Sequence, residues 1–323
     1  MSLLVFVAKT LWVAAETEST LKGQLVLIAL SLMLPLPKIV TARMMYEKFV
    51  GEVMANQWKH QVIIITGASA GIGKALAYAL APQGPKLVLV ARDCTRLEEV
   101  AEACEGLGAA TLVVPMDVAD PQACEEMIQR VIATFDKIHV LVNNAVMSMW
   151  ATVEDVQDVS QFKQIIDVNL LGSMYCTKFA LPFLKETQGR IVAISSVASL
   201  TGVPSHAAYC ASKHAMNGFF ESLRVELIGT GVSVTIVAPD FVQSEIHVRS
   251  LGADGKPLGR QLQDHGSFLS TETCADIIVK AMIRRKRLVI TSLRGKVGRW
   301  VKLCLPAVID WMARKGVAEA YRE

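Results

Sequence analysis

The sequence predicts an α/β fold: a doubly wound, mostly parallel sheet of seven strands with helices on both faces. Three observations predict it. Seven short, continuous apolar runs rich in β-branched residues recur along residues 58–291. Such runs are what strands covered on both faces require. Helix-period patterns lie between them, as strand–helix–strand crossovers demand. A glycine-rich turn joins the first run to the first helix.

The elements follow in order. Residues 1–57 form an apolar extension in which the uncharged stretch 23–37 is only fifteen residues long and carries two prolines. A full membrane span needs about twenty apolar residues, so a short anchor, a pair of interfacial helices and an upstream start-site artefact all stay open. The strands are predicted at VIIIT (62–66), KLVLV (86–90), TLVVP (111–115) and HVLVN (139–143). They continue at RIVAIS (190–195), VSVTIV (232–237) and RLVIT (287–291). Thr95 and Glu98 have capping-box spacing, and Leu97, Val100, Ala101 and Cys104 then share one helical face. Asp120-Pro121 reads as a helix start, with Met127, Ile128, Val131, Ile132 and Phe135 continuing at helical spacing.

After the first strand comes Thr66-Gly67-Ala68-Ser69-Ala70-Gly71-Ile72-Gly73, then the helical run KALAYAL. Glycines let the backbone turn sharply and approach a pyrophosphate, and the helix N-terminus adds free N–H groups and partial positive charge. The strand before and the helix after are the context that this motif needs. The second strand ends LVARD, so Ala91 stands where an acid would bind a ribose 2′-hydroxyl, and Arg92 follows. A guanidinium suits a 2′-phosphate, which favours NADP(H) over NAD(H). Asp93, one residue on, keeps NAD(H) open.

Tyr209 and Lys213 lie four residues apart and share one helix face, with Ser196 thirteen residues before the tyrosine. A cation beside a phenol favours the phenolate and lowers its pKa from about 10, so proton transfer is the chemistry expected of the group. Composition excludes other classes. A net charge of +3 is too mild and dispersed for a nucleic-acid surface. The seven cysteines form no Cys-x-x-Cys pair and are expected to be reduced core thiols of a cytosol-facing protein, with no metal.

The segment 241–268 mixes apolar residues with glycines and is expected to form a mobile substrate lid. Met147, Met149 and Trp150 should face the same cleft, and His206 is a further candidate for substrate contact. The tail, 292–323, is basic and amphipathic. No acidic residue lies between Asp276 and Asp310, while Trp300 and Trp311 fall among its basic and apolar residues. That pattern suits a membrane surface, or a helix packed on the domain or on a second copy.

These residues resemble the short-chain dehydrogenase/reductase family over about residues 58–291. Thr66 to Gly73 matches its glycine loop, Asp117 its adenine-side acid, and Asn143-Asn144-Ala145 its Asn-Asn-Ala stretch, with Val146 in place of glycine. The resemblance implies a Rossmann-type sheet, hydride transfer with a nicotinamide cofactor, and a catalytic set of Asn169, Ser196, Tyr209 and Lys213. In that scheme Tyr209 exchanges the proton, Lys213 lowers its pKa, Ser196 holds the reacting oxygen and Asn169 anchors a water. Cofactor contacts would come from Thr66, Gly67, Ser69, Gly71, Ile72, Gly73, Arg92, Asp117, Asn144, Tyr209, Lys213, Pro239, Val242 and Ser244. Asp240 replaces the family's glycine after the sixth strand, which leaves the backbone conformation of that loop open without removing the site. The run YCASKHAMNGFFESLRVEL resembles the branch of membrane-associated hydroxysteroid and retinol-type dehydrogenases, closest to the dehydrogenase/reductase member 7 group. It implies a lipophilic alcohol or ketone substrate and a homo-oligomer. A reductase of small soluble carbonyls and an inactive dinucleotide-binding scaffold are the alternatives.

Overall fold

The computed structural model describes residues 57–259 and 268–320. The N-terminal extension up to residue 56, and 260–267 of the predicted lid, lie outside the described residues.

Seven strands form one sheet in the order β3-β2-β1-β4-β5-β6-β7, and every neighbouring pair is parallel. They are β1 (Val62–Thr66), β2 (Lys86–Ala91), β3 (Ala110–Pro115), β4 (Val140–Asn143), β5 (Arg190–Ile194), β6 (Ser233–Ala238) and β7 (Leu288–Ile290). Each agrees with its predicted run to within a residue at either end. The helices between them are α1 (Gly71–Leu80), α2 (Cys94–Gly106), α3 (Pro121–Phe135), α4 (Ser160–Ile166) and α5 (Gly172–Glu186). Then come α6 (Ala207–Glu226), the single turn α7 (Ile246–Arg249) and α8 (Thr271–Ile283).

Side chains alternate across the sheet, so one strand feeds two cores. Ile63 and Ile65 of β1 pack with Leu76 and Leu80 of α1, Leu97 and Val100 of α2, and Ile278 of α8. Val62 and Ile64 face the other way, onto Met127 and Val131 of α3, Leu184 of α5 and Phe220 of α6. All seven cysteines are free thiols, five of them buried. The strand order reverses between β1 and β4, and this opens a crevice at the carboxyl ends of the strands where ligands bind in such sheets.

One local expectation is corrected. The α2 cap is Asp93, not Thr95: its carboxylate accepts the Arg96 N–H at 3.1 Å, and Thr95 is already inside the helix. A carboxylate next to the positive helix end is the stronger acceptor. The Asp240 backbone lies outside the left-handed region. Asp120 caps α3 as predicted, accepting from Gln122 and Ala123.

The tail folds as two helices, α9 (Leu293–Cys304) and α10 (Pro306–Ala320). Gly295 permits close docking of α9. A Cβ there would lie 2.8 Å from Ile290 and 2.9 Å from Val197. No helix among the described residues is long and apolar enough to cross a membrane.

Candidate active site

A continuous cleft of about 1490 Å³ runs along the carboxyl ends of the strands, from the β1–α1 turn to α9 and α10. That exceeds the few hundred to about 1,000 Å³ of ordinary small-molecule sites and leaves room for a dinucleotide and a second ligand.

At one end the backbone makes a cradle. Gly67 has φ +67°, and a Cβ on it would lie 2.9 Å from Ala145 Cα. A Cβ on Gly73 would lie 2.3 Å from the Gly67 carbonyl oxygen. Only glycine fits either place. Thr66 pins this turn to the next strand, its Oγ1 accepting the N–H groups of Asn144 (2.9 Å) and Ala145 (3.0 Å). Asn144 returns the link, donating its Nδ2 to the Thr66 carbonyl at 2.9 Å. Residue Ala70 begins α1 with no side-chain cap, which leaves the first helical N–H groups for a ligand. This cradle fits a dinucleotide pyrophosphate. Ser69, Gly71, Ile72 and Asn144 line it; Thr66 and Gly73 shape it from behind.

Beyond β2, Arg92 and Asp117 line the same cleft with Nη1 and Oδ2 3.9 Å apart, and the Arg92 side chain is 68% exposed. Asp93 is occupied as the α2 cap.

At the other end, α6 presents Tyr209 and Lys213 toward the end of β5, and Ser196 hydrogen-bonds the phenol. Ser195, by contrast, donates to Asn217 Oδ1 at 2.9 Å. The Lys213 ammonium lies 5.8 Å from the tyrosine ring centroid and donates to the Ile194 carbonyl at 2.8 Å. Burial raises the Tyr209 pKa to about 12, outweighing the Ser196 bond that lowers it. Burial also brings Lys213 down to about 7. The expected lowering of the phenol by a neighbouring cation is therefore corrected. Burial disfavours both charged forms, the phenolate and the ammonium.

Asn169 is fully buried in a π-helical turn at 167–171, and its side chain does not line the cleft. Its Oδ1 accepts the Met147 N–H at 2.7 Å, while Nδ2 donates to the Met147 carbonyl and to Ser212 Oγ, both at 2.9 Å. It braces the loop after β4 against the helix that carries Lys213.

Pro239, Val242 and Ser244 line the cleft after β6. Met147 and Trp150 do too, while Met149 is packed beneath them in a small core with Ile165 and Leu251. Several contacts of the cleft could not be read from the sequence because the partners are remote along the chain. Glu245 receives Arg96 of α2 at 2.8 Å and Arg249 at 2.6 Å, bridging the two sides of the cleft. Asp240 holds Arg294 of α9 at 2.8 and 3.2 Å and accepts the Ser292 hydroxyl at 2.5 Å. His247 lines the cleft beside Phe268.

The sequence model of the short chain dehydrogenase family matches residues 61–252. The chain belongs to the short-chain dehydrogenase/reductase family. It is 36% identical over 270 residues to 11-beta-hydroxysteroid dehydrogenase A of Sesamum indicum, covering 82% of this chain and 77% of that one. It is 29% identical over 279 residues to the Dehydrogenase/reductase SDR family protein 7-like of Drosophila melanogaster, covering 84% and 85%. Among solved structures, an alcohol dehydrogenase from Thermococcus sibiricus complexed with 5-hydroxy-NADP matches with a TM-score of 0.62 at 28% identity, over 72% of this chain and 95% of that one. A short-chain dehydrogenase/reductase from Burkholderia phymatum in complex with NAD shares the fold at a TM-score of 0.68 and 24% identity, over 76% and 93%. As a short-chain dehydrogenase/reductase, the protein is an NAD(P)-dependent oxidoreductase acting on CH–OH groups of a small-molecule substrate. The cradle at Gly67 and Gly73 fits its nicotinamide dinucleotide.

Proposed function

We propose that this short-chain dehydrogenase/reductase interconverts a lipophilic secondary alcohol and its ketone with NADP(H), using Tyr209 as the acid/base. The observation that carries the reading is the Ser196–Tyr209–Lys213 group opening into the same cleft as the glycine cradle. The catalytic domain is 58–291, with 292–323 as an accessory tail. When bound, the nicotinamide supplies or accepts the hydride at the substrate carbon.

The chain's own residues do the rest. Tyr209, kept protonated by burial, donates its hydroxyl proton to a carbonyl oxygen during reduction and recovers it in the reverse direction. Ser196 orients that oxygen by hydrogen bonding. Lys213, with a pKa brought down to about 7, can return a proton to the phenolate that Tyr209 becomes on donating. Asn169 keeps the loop after β4 in register with this group. Arg92, exposed at the mouth and free of any carboxylate at position 91, supports a 2′-phosphate and hence NADP(H). Thr201, Val203, Phe241, Leu251 and Val301 give the other end a mainly apolar wall, which supports a lipophilic substrate over a small soluble carbonyl.

The tail supports delivery from an anionic membrane on the cytosolic side. The outer face of α9 and α10 exposes Trp300 (66%), Leu303 (71%) and Trp311 (63%). Lys296, Arg299, Arg314 and Lys315 lie among them, with Arg299 stacked over Trp300 and Lys315 over Trp311, while Lys302 turns inward to the Leu200 carbonyl at 2.9 Å. The inner face, through Val297, Val301, Ile309 and Met312, lines the cleft itself. A surface that is apolar and basic outside and substrate-lining inside suits a ligand entering from lipid.

A screen of steroid, retinoid, long-chain and small carbonyls with NADPH, run with Tyr209→Phe beside the wild type, tests the reading. Turnover of apolar ketones should fall at least about a hundredfold in the variant, the usual weight of a general acid, while NADPH binding persists. A variant that keeps most of its activity would refute the role of Tyr209.

A further inference from the structure

The cleft contains two imidazoles that the proton transfer does not use. His206 stands three residues before Tyr209, at the start of α6, with its ring 6.2 Å from the tyrosine ring and edge-on to it. On its other side it meets Trp150 edge-on at 4.7 Å. Its Nδ1 lies 3.1 Å from the Pro204 carbonyl oxygen. A carbonyl only accepts, so Nδ1 carries the proton. Burial lowers the pKa of this ring, which makes it neutral at pH 7. The Nε2 of His206 is therefore a bare acceptor.

His247 comes from the opposite wall, on α7, and is 9% exposed. It sits 6.1 Å from the Phe268 ring, which in turn stacks on Phe241 at 5.3 Å. It too is neutral, its pKa brought down to about 4 by burial and then by the nearby His206. Among the described residues, neither His247 nor the Nε2 of His206 has a hydrogen-bond partner. Both rings line the cleft, so their open nitrogens face the space a substrate would fill.

We propose that His206 and His247 form a hydroxyl-recognition subsite, so that the preferred substrate is a lipophilic hydroxyketone, or the matching diol, with its hydroxyl close to the reacting carbon. The acceptor on His206 asks for a donor, which a hydroxyl supplies and a second ketone does not. His247 can donate to or accept from the same oxygen. The short distance between His206 and Tyr209 places this second oxygen near the reacting one, not at the far end of a long molecule. A site built to pair with a hydroxyl penalises an analogue without it, because its own polar atoms are then left unpaired.

The inference rests on the reading of Tyr209 as the acid/base, and its test separates the two. The probes are dodecan-6-one and three derivatives with a hydroxyl one, two or three carbons from the carbonyl. With NADPH, at least one hydroxyketone should exceed the parent ketone in kcat/KM by about tenfold, the worth of one hydrogen bond to a buried group. The ratio should fall to about one in His206→Phe and His247→Phe. His206→Asn, which keeps an acceptor, should retain part of it, and this separates loss of the hydrogen bond from loss of folding. The same ketones titrated calorimetrically into the protein with NADP+ give a readout that needs no turnover. Hydroxyl-dependent binding that is lost in the Phe variants, with no turnover of any ketone, would uphold the subsite and refute the proton-transfer reading. A wild type that does not distinguish the parent from any hydroxyketone, or an advantage that survives both Phe substitutions, would overturn the subsite.

Discussion

Asp240→Ala tests how the tail is coupled to the cleft. Asp240 occupies the place of a family glycine, yet its side chain is only 10% exposed and fully engaged. It accepts two bonds from the Arg294 guanidinium and one from Ser292, while its own N–H donates to Thr291 Oγ1 at 3.0 Å. Arg294 also stacks over Phe241 at 5.3 Å, so one guanidinium touches both the loop after β6 and the cleft wall. A hydrogen bond to a charged group contributes about 1.5–3 kcal/mol. Arg294 is 56% exposed and regains water when its partner is removed, so the ion pair is discounted toward the surface value of at most about 1 kcal/mol. Together with the part-buried Ser292 bond, the loss comes to about 2 kcal/mol. Urea unfolding of Asp240→Ala, Arg294→Ala and the double variant measures it. The cycle should return a coupling of about 1 kcal/mol. Hydrogen exchange should show amides of α9 losing protection before those of the sheet. Zero coupling with unchanged protection of α9 would show that the latch does not hold the tail.

Three further predictions follow from the site. Arg92→Ala should weaken NADPH about tenfold while leaving NADH nearly unchanged, from the strength of a charge-assisted bond to phosphate; equal losses in a fluorescence titration would remove Arg92 from that role. Lys213 has its pKa depressed to about 7 by burial, so the folded state binds fewer protons than the unfolded one between pH 7 and 10. Stability should therefore rise with pH over that window, and Lys213→Met should flatten the rise in denaturation curves. Trp300→Glu with Trp311→Glu should abolish co-sedimentation with phosphatidylserine vesicles at low salt while leaving the soluble fold intact by circular dichroism; retained binding would place the membrane contact elsewhere.

The five inner strands were legible because each is buried on both faces, which leaves no polar alternation to confuse with a helix, and the half-buried edge strands β3 and β7 were legible from their short β-branched runs. The glycine turn was legible because its chemistry is local: Gly67 and Gly73 are fixed by contacts within a few residues and one neighbouring strand. The α2 cap was misread, since Thr95 has the right spacing but Asp93 has the better acceptor one turn edge earlier. The Tyr209–Lys213 pair was legible as a spacing, whereas its electrostatics were not. Burial depends on what closes over the helix, and here it pushes both groups toward their neutral forms.

The sequence by itself determined the sheet and the glycine turn, because periodicity and short-range sterics are written locally. Only the tertiary structure decided what those residues meet. Asp240 finds Arg294 fifty-four positions away, Glu245 finds Arg96 across 149, and His247 comes to face His206 from the opposite wall. Such pairings depend on how the crossovers and the tail fold back, and side-chain chemistry alone does not encode which remote partner arrives.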